Sequence, residues 1–360
     1  MIYNLQLLRF LAAFAVLCAH LILFGIAKYG LDGTHLSDPA GFMMMGVDIF
    51  FILSGFIMVY TSSLDAPMHP RDAASKTLTF YIKRITRIYP IWWLLCLMLL
   101  PVLLFYSGWV NSSADAPPSF LHSFFLIPHE TVPLIVVGWT LEFEMFFYLF
   151  FGLTLWLGRK MQVAILCLAA GACVLYGALN SIGHFAPIPD TAANPYLLIL
   201  TSPFLLYFAA GMVIGLIYMR KTLQRYIMPL ALIALPLTLA YTASHEYQSI
   251  DRIAHFMPLS INIFMIFLGL DVQKIIVFKS FCKWGGNISY ALYLLHILVI
   301  AAAVRIYITF NLDTYFNYTV LALLITVGSL IGASMLYYFF EAPLLKALRE
   351  RVKRRTGIEN

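Results

Sequence analysis

Charge is what this sequence lacks most. Asp, Glu, Lys and Arg make up only 11% of its 360 residues, whereas 62% of the residues are hydrophobic. Soluble domains carry about 25% charged residues, because a surface in contact with water needs them. The composition excludes a soluble protein and predicts an all-α, polytopic integral membrane protein.

Several chemical motifs are also missing. The five cysteines show no paired spacing on an expected external loop, which excludes a disulfide framework and a thiolate metal site. The chain has no phosphate-binding Walker A loop, no dinucleotide fingerprint, no zinc spacing and no nucleophile elbow. No metal is therefore expected, and an enzyme built from this chain has to use intramembrane histidine, arginine and carboxylate side chains.

Ten apolar stretches are long enough, or nearly so, to cross the hydrocarbon core of a bilayer. The first has no basic region before it and no small-residue cleavage site after it, so we expect a retained helix rather than a cleaved signal peptide. The ten predicted spans are 5–27, 42–62, 88–108, 134–157, 161–180, 196–219, 226–243, 255–271, 285–308 and 318–340.

Positive charges are unevenly distributed between the two sides of these spans. Of 23 Lys and Arg residues, 19 fall on one side, Lys28, Arg252 and Arg305 fall at or near the other, and Arg9 lies within the first span. Cytoplasmic segments are rich in Lys and Arg, so both termini are predicted to be cytoplasmic, and the net charge of +6 does not indicate a nucleic-acid partner. We predict a single transmembrane domain over 1–345, a basic cytoplasmic tail over 346–360, and short outer loops near 111–119, 183–195 and 311–317.

Arg9 and His20 are the most informative residues. They lie in the first span, eleven residues apart, so they share one helix face about 16 Å apart. A charge and an imidazole inside a membrane helix are costly, and by default they indicate function. Each also has a structural explanation, since His20 can be a neutral histidine bonded to a neighbouring helix and Arg9 can extend to the cytoplasmic headgroups.

Two acidic residues are predicted at a depth that matches His20. Counted along their helices, His20, Asp48 and Glu144 lie about 10, 9 and 15 Å from the outer ends of the first, second and fourth spans. If these helices adjoin, the three groups meet in one layer, where a carboxylate raises the basicity of the imidazole and orients it as a general base. We favour this catalytic interpretation over a polar network that only fixes helix packing.

A basic cluster, YIKRITRIYP, precedes the third predicted span. Arg84 and Arg87 lie three residues apart and share a helix face, and their guanidinium groups suit a phosphorylated cofactor at the cytoplasmic mouth of the bundle. Their position alone favours simple stop-transfer charge.

Two further segments carry polar residues near the end of the chain. GGNISYALYLLHI places Tyr293 and His296 on a polar stripe of the ninth span, which either lines a pore or bonds to another helix. FFEAPLLKALR closes the tenth span, where we expect Glu341 to pair with a cytoplasmic base or to cap a helix start rather than to act in catalysis.

Several segments, taken in order, resemble membrane acyltransferase family 3, the O-acyltransferases of bacterial surface and secreted carbohydrates. They are RFLAAFAVLCAH with its Arg-x10-His spacing, GVDIFFILSGFIM, FYIKRITRIYPIWW, WTLEFEMFFYLFFG, GNISYALYLLH and FFEAPL. The resemblance spans nearly the whole chain. It implies ten helices in the bacterial inner membrane.

The resemblance also implies a reaction and roles for residues. An acyl-CoA, usually acetyl-CoA, enters from the cytoplasm, and the acceptor is a sugar hydroxyl of a lipid-linked or exported glycan. Exopolysaccharide is the first expectation and lipopolysaccharide O-antigen the second. By this resemblance His20 is the essential catalytic residue, and the family's acidic positions fall on Glu144 and Asp48. The arginines of the family motifs fall on Arg9, Arg84 and Arg87, where they hold the CoA phosphates.

Two other classes of function remain open from the sequence. A transporter, such as a flippase of a lipid-linked sugar or a carrier of a small solute, also needs buried charges and a polar path, and it would not depend on acyl-CoA. A non-catalytic scaffold for glycan assembly would tolerate alanine at His20. If the chain is an enzyme, the acyl group can be acetyl, succinyl or a longer group. The transfer can be direct or can pass through an acyl-histidine intermediate.

Overall fold

The computed structural model of this chain describes residues 2–29, 39–62, 70–110, 117–179, 194–244, 252–276 and 278–356. Most of two predicted outer loops, 111–119 and 183–195, lies outside these residues. The regular elements within the described residues are helices, and many of them are long and apolar enough to cross a membrane. The predicted all-α, polytopic membrane fold is therefore confirmed.

The principal helices follow in chain order. They are α1 (Tyr3–Tyr29), α2 (Met45–Ser62), α3 (Pro70–Phe105), α4 (Phe120–Phe125), α5 (Trp139–Leu153), α6 (Arg159–Leu179), α7 (Pro195–Thr201), α8 (Phe204–Met219), α9 (Ile227–Ser244), α10 (Arg252–Val272), α11 (Lys279–Thr309), α12 (Tyr318–Leu336) and α13 (Ala342–Thr356). Within the described ranges, nine helical stretches pass the length and hydropathy required of a span, and α7 with α8 makes a tenth that bends by 41°. The prediction of about ten spans agrees with these nine, or with ten if the bent pair is counted as one span.

The directions of the helices agree with ten alternating crossings. Gly285 of α11 packs on Phe10 of α1, and further along the same two helices His296 contacts His20. The first and ninth spans therefore run parallel, as two odd-numbered spans must, whereas the consecutive helices α11 and α12 run antiparallel. We call the end of the bundle where α1, α3 and α11 begin the basic end, and the opposite end the far end.

The third span begins earlier than predicted. α3 starts at Pro70, whereas the predicted span starts at residue 88. The cluster YIKRITRIYP therefore lies inside a helix of 36 residues, and Arg84 and Arg87 line the interior of the bundle rather than a loop. The predicted start was too late because the charged residues of this segment lower its hydropathy, although they do not break the helix.

The first half of α3 is held by hydrogen bonds to the end of α5. Thr77 Oγ1 donates to the carbonyl of Gly152 at 3.2 Å, and the Tyr81 hydroxyl donates to the carbonyl of Leu149 at 2.8 Å. These two side chains therefore fix the first half of α3 beside the last turn of α5.

A short helix ends deep inside the bundle. Three consecutive carbonyls at the end of α4 accept hydrogen bonds of 2.8–3.0 Å from Trp92, Trp93 and Tyr89 of α3. α5 begins at a similar depth, because the carbonyl of Val137 lies 3.5 Å from the hydroxyl of Tyr293 near the middle of α11. Residues 117–138 thus fill the half of the bundle between α5 and the far end.

Two glycines bring α2 and α8 into backbone contact. A Cβ atom at Gly55 would lie 2.1 Å from the carbonyl oxygen of Phe208, and one at Gly211 would lie 1.9 Å from that of Ile52. Small residues permit such close approach between membrane helices. The contact fixes the position of α2, which forms one wall of the cavity described below.

We expect Gly211→Ala to lower the melting temperature of the detergent-purified protein, because the added methyl group forces α2 and α8 apart at a cost of about 1–3 kcal/mol. Gly171→Ala in α6 is the matched control, since nothing lies within 4 Å of a Cβ atom built there. Equal melting temperatures for the two variants would contradict the backbone contact.

Candidate active site

A cavity of about 1210 Å³ opens between α1, α2, α3, α5 and α11. Lys83, Lys346 and Glu350 line its mouth at the basic end and are exposed. Thr140 and Tyr293 line its deep end, near the middle of the bundle, and are buried. Sites for drug-sized ligands measure about 300–1,000 Å³, so this cavity suits a longer molecule that enters from the basic end.

Three arginines line the cavity, Arg9 from α1 and both Arg84 and Arg87 from α3. The structure thus brings together the three residues that the sequence predicted for cofactor binding. The Nε atoms of Arg9 and Arg84 are buried and have no hydrogen-bond partner within the described residues. Guanidinium groups with unused donors beside a cavity are suited to bind an anion.

Aromatic rings hold Arg84 in position. Its guanidinium carbon lies 5.3 Å from the centre of the Phe80 ring and 5.5 Å from that of Tyr148. Its Nη2 atom lies 3.4 Å from Oγ1 of Thr61. None of these contacts neutralises the positive charge, which stays directed at the contents of the cavity.

Arg87 is held by a carboxylate. Its Nη1 atom forms an ion pair with Oε1 of Glu341, and its guanidinium carbon lies 5.6 Å from the centre of the Tyr290 ring. Glu341 is buried in the π-helical turn Tyr337–Glu341 between α12 and α13, and turns of this kind occur frequently at functional sites. The prediction that Glu341 pairs with a basic residue is confirmed.

Among the residues that the structure describes, five cationic and two anionic side chains line the cavity. Glu341, which does not line it, offsets the charge of Arg87. The remaining excess of positive charge suits a polyanionic ligand such as a polyphosphate. Within the part of the chain that the structure describes, no group of three or more His, Cys, Asp or Glu side chains is placed to hold a metal ion.

Glu144 lies at the level of Arg9 along the bundle rather than at the level of His20. It accepts a hydrogen bond from Oγ of Ser54 and lies close enough to Arg9 and Arg84 to act on their charges. Since Arg9 and His20 are about 16 Å apart along α1, the structure does not bring Glu144 and His20 together. The predicted depth of Glu144 was wrong because α5 begins near the middle of the bundle and not at its far end.

Asp48 is fully buried in α2. Two residues before it, Gly46 packs against α1 at Ala12 and Val16. Because consecutive spans run antiparallel, Asp48 lies roughly 10 Å from His20 along the helix axes. The catalytic role of Asp48 stays a prediction.

His20 contacts a second histidine. Its Nδ1 atom lies 2.9 Å from the carbonyl oxygen of Val16 and 3.3 Å from Nε2 of His296, and the two ring centres are 5.1 Å apart. His296 is fully buried in α11, and its own Nδ1 lies 3.0 Å from the carbonyl oxygen of Leu292. The polar stripe predicted on the ninth span therefore bonds to another helix, at His20.

Tyr293 separates the cavity from the histidine pair. Its hydroxyl oxygen lies 2.9 Å from Oγ1 of Thr140 at the deep end, and the centre of its ring lies 6.0 Å from that of His296. The Phe50 ring packs edge-on against Tyr293 at 5.4 Å. The two histidines thus lie just beyond the deep end of the cavity.

Ser54, Tyr148 and Thr140 belong to this site, and the sequence did not indicate them. Serine and threonine are common in apolar helices, where they often bond to the backbone of their own helix, and Tyr148 is one of 21 tyrosines. No pattern therefore distinguishes these three. Tyr293 and His296 carried a detectable signal, because residues three positions apart share one face of a helix.

Comparison with known proteins agrees with the resemblance seen in the motifs. Residues 2–338 match the family model described as an acyltransferase domain. The chain is also similar to the exopolysaccharide production protein ExoZ of Rhizobium meliloti (strain 1021), with 28% identity over 313 residues that cover 85% of this chain and 90% of the relative. No solved structure matches the chain. The resemblance to acyltransferase family 3 is confirmed.

Removing one member of the Arg87–Glu341 pair should cost more stability than removing both. Arg87→Met or Glu341→Met alone leaves one charge without its partner, whereas the double variant leaves neither. We expect an interaction energy of about 0.5–3 kcal/mol in a double-mutant cycle on the detergent-purified protein. The Arg87 side chain is 30% exposed, which favours the smaller values. Strictly additive effects would show that the pair does not form.

Proposed function

The chain belongs to the acyltransferase domain family, and we propose that it transfers an acyl group from acyl-CoA to a hydroxyl group of an exported carbohydrate. The proposed acyl group is acetyl, and the proposed location is the bacterial inner membrane. One observation carries the proposal: a cationic cavity runs from the basic end of a membrane-spanning bundle toward its middle, where a pair of histidines lies just beyond Tyr293 at the deep end.

The basic end is proposed to face the cytoplasm. Lys and Arg concentrate on the cytoplasmic side of membrane proteins, and most of the Lys and Arg residues of this chain belong to segments at the basic end. In this orientation both termini are cytoplasmic, and the cavity opens toward the compartment that supplies acyl-CoA.

The shape and charge of the cavity support acyl-CoA as the donor. Arg9, Arg84 and Arg87 would bind its phosphate groups, since planar guanidinium groups match phosphate oxygens. The pantetheine arm would extend toward the deep end. Thr140 and Tyr293 lie at that end, and acetyl is proposed as the acyl group because the family resemblance implies it most often.

A carbohydrate acceptor is supported by the relative named for exopolysaccharide production. We propose that the acceptor, a lipid-linked or polymeric glycan, approaches from the far end. There the partly non-helical residues 117–138 descend to the level of Tyr293. Irregular backbone at membrane depth is tolerated where it is buried in protein or borders a water-filled space, and such a space would admit a sugar.

His20 is proposed as the general base. Its unprotonated nitrogen removes the proton of the sugar hydroxyl, and the alkoxide attacks the carbonyl carbon of the thioester. The carbon–sulfur bond then breaks, and the departing CoA thiolate takes the proton from His20. In the other order of events His20 first forms an acyl-imidazole, which the sugar then attacks.

The remaining site residues take supporting roles in this scheme. Glu144 is proposed to balance the charges of Arg9 and Arg84, beside which it lies. Asp48 is retained as a candidate for tuning the site from α2. Tyr293 has to move aside when the thioester meets His20, because its ring stands between the cavity and the histidines.

Membranes that carry the wild-type chain should transfer radiolabelled acetyl groups from acetyl-CoA to membrane glycan. His20→Ala should lower this transfer roughly 10²- to 10⁴-fold, the usual contribution of a general base. His255→Ala, at a buried position of α10 outside the cavity, is the matched control and should keep the activity. Equal labelling by the wild type and His20→Ala would remove His20 from catalysis, and no labelling by the wild type would favour a transporter.

Arg84→Gln should weaken the binding of CoA roughly 10- to 100-fold, because a charge-assisted hydrogen bond contributes about 1.5–3 kcal/mol. Isothermal titration calorimetry on the detergent-purified protein measures this affinity. Arg225→Gln is the control, since Arg225 is exposed between α8 and α9 at the same end and stacks on Tyr226 outside the cavity. If both variants bind CoA equally well, its phosphates do not bind at Arg84.

A further inference from the structure

The hydrogen-bond partners of the two histidines determine which ring nitrogen carries a proton. A backbone carbonyl only accepts, so Nδ1 of His20, 2.9 Å from the Val16 carbonyl oxygen, carries a hydrogen. The same argument places a hydrogen on Nδ1 of His296, 3.0 Å from the Leu292 carbonyl oxygen. Each neutral ring then has an unprotonated Nε2.

These tautomers give the two rings different tasks. Nε2 of His296 lies 3.3 Å from Nδ1 of His20 and accepts a share of the hydrogen that also points at Val16. Nε2 of His20, on the opposite side of its ring, keeps its lone pair for a substrate proton. The arrangement resembles a base held by an orienting partner, with an imidazole in place of the usual carboxylate.

We propose that His296 is a positioning residue that, together with the Val16 carbonyl, holds His20 in the tautomer and orientation needed for catalysis. The inference rests on the proposed function and adds a residue to it. When Nε2 of His20 takes the proton of the acceptor hydroxyl, His20 becomes an imidazolium and its Nδ1–H bonds more strongly to Nε2 of His296. His296 keeps its own proton on Nδ1 and stays neutral, and the proton on His20 leaves with the CoA thiolate.

The environment of the pair explains why an imidazole suits this position. His296 is fully buried, with Tyr293 on its own helix and His20 on α1 as its ring neighbours. A carboxylate there would carry a full charge in the middle of the membrane, which is costly without a cationic partner. Glu144, the acid of the fourth span that was predicted to meet His20, instead lies with the arginines.

Three substitutions of His296 test this inference. The side-chain oxygen of His296→Gln reaches about as far as Nε2 and can accept from Nδ1–H of His20, whereas His296→Asn ends one atom short and His296→Leu offers no acceptor. Acetyl-CoA is varied over membranes that carry the cell's own glycan, and kcat and KM are measured for each variant. Calorimetry with CoA then shows which purified variants keep a folded donor site.

We expect kcat to fall roughly 10- to 100-fold in His296→Leu and His296→Asn, with a much smaller loss in His296→Gln, because only the glutamine restores the acceptor. The KM for acetyl-CoA and the affinity for CoA should not change. If His296→Leu does not fold, the kcat values of His296→Gln and His296→Asn still show whether the acceptor at this position is needed.

Three results would overturn the inference: a wild-type kcat in His296→Leu, equal losses of kcat in the Gln and Asn variants, or a loss confined to KM. Measurements on the wild type and on His20→Ala distinguish a wrong role for His296 from a wrong proposed function. If the wild type transfers acetyl, His20→Ala does not, and His296→Leu has the kcat of the wild type, then the proposed function stands and only the role of His296 is wrong. If the wild type transfers nothing, the proposed function fails and the role of His296 fails with it.

Discussion

Hydrocarbon offers no hydrogen bonds to the polar groups buried in it, and this constraint governs the polar contacts of the bundle. The carbonyls that end α4 are bonded by indole and phenol groups of α3. Arg87 is paired with Glu341, and Arg84 is enclosed by the rings of Phe80 and Tyr148. In each case groups of the protein supply the contacts that water would make outside the membrane. The interior can therefore carry several charges and an irregular segment of backbone while its helices stay intact.

A second constraint is distance along the membrane normal. Arg9 and His20 lie on one helix about 16 Å apart, so they define an arginine level near the basic end and a histidine level at the middle. A long ligand whose phosphates bind at the first level presents its other end to the second. Glu144 belongs to the arginine level, where it lies close enough to Arg9 and Arg84 to act on their charges. In the proposed mechanism, the phosphate-binding arginines and the catalytic histidine are thus separated by the length of three helical turns.

The number of spans could be predicted from the sequence because hydropathy and the Lys/Arg distribution report the thickness and sidedness of the bilayer, which do not depend on packing. The position of a residue along the membrane normal could not be predicted where its helix begins inside the bundle. Glu144 was for this reason predicted too close to His20. The contact between His20 and His296 joins residues 276 positions apart in the chain. A single sequence indicates that each helix has a polar face, but it does not say which faces meet.

A catalyst that takes its donor from one side of a membrane and its acceptor from the other has to place a base at the centre without opening a path for ions. The Tyr293–Thr140 hydrogen bond closes the deep end of the cavity. Beyond it, the two imidazoles are neutral in the tautomers that their carbonyl partners impose. The histidine pair itself then carries no permanent charge, and a charge on His20 exists only during the proposed transfer, when His296 is already placed to accept its Nδ1–H. A pair of neutral rings therefore meets the electrostatic demand of the membrane centre better than an ion pair, which must be desolvated in full.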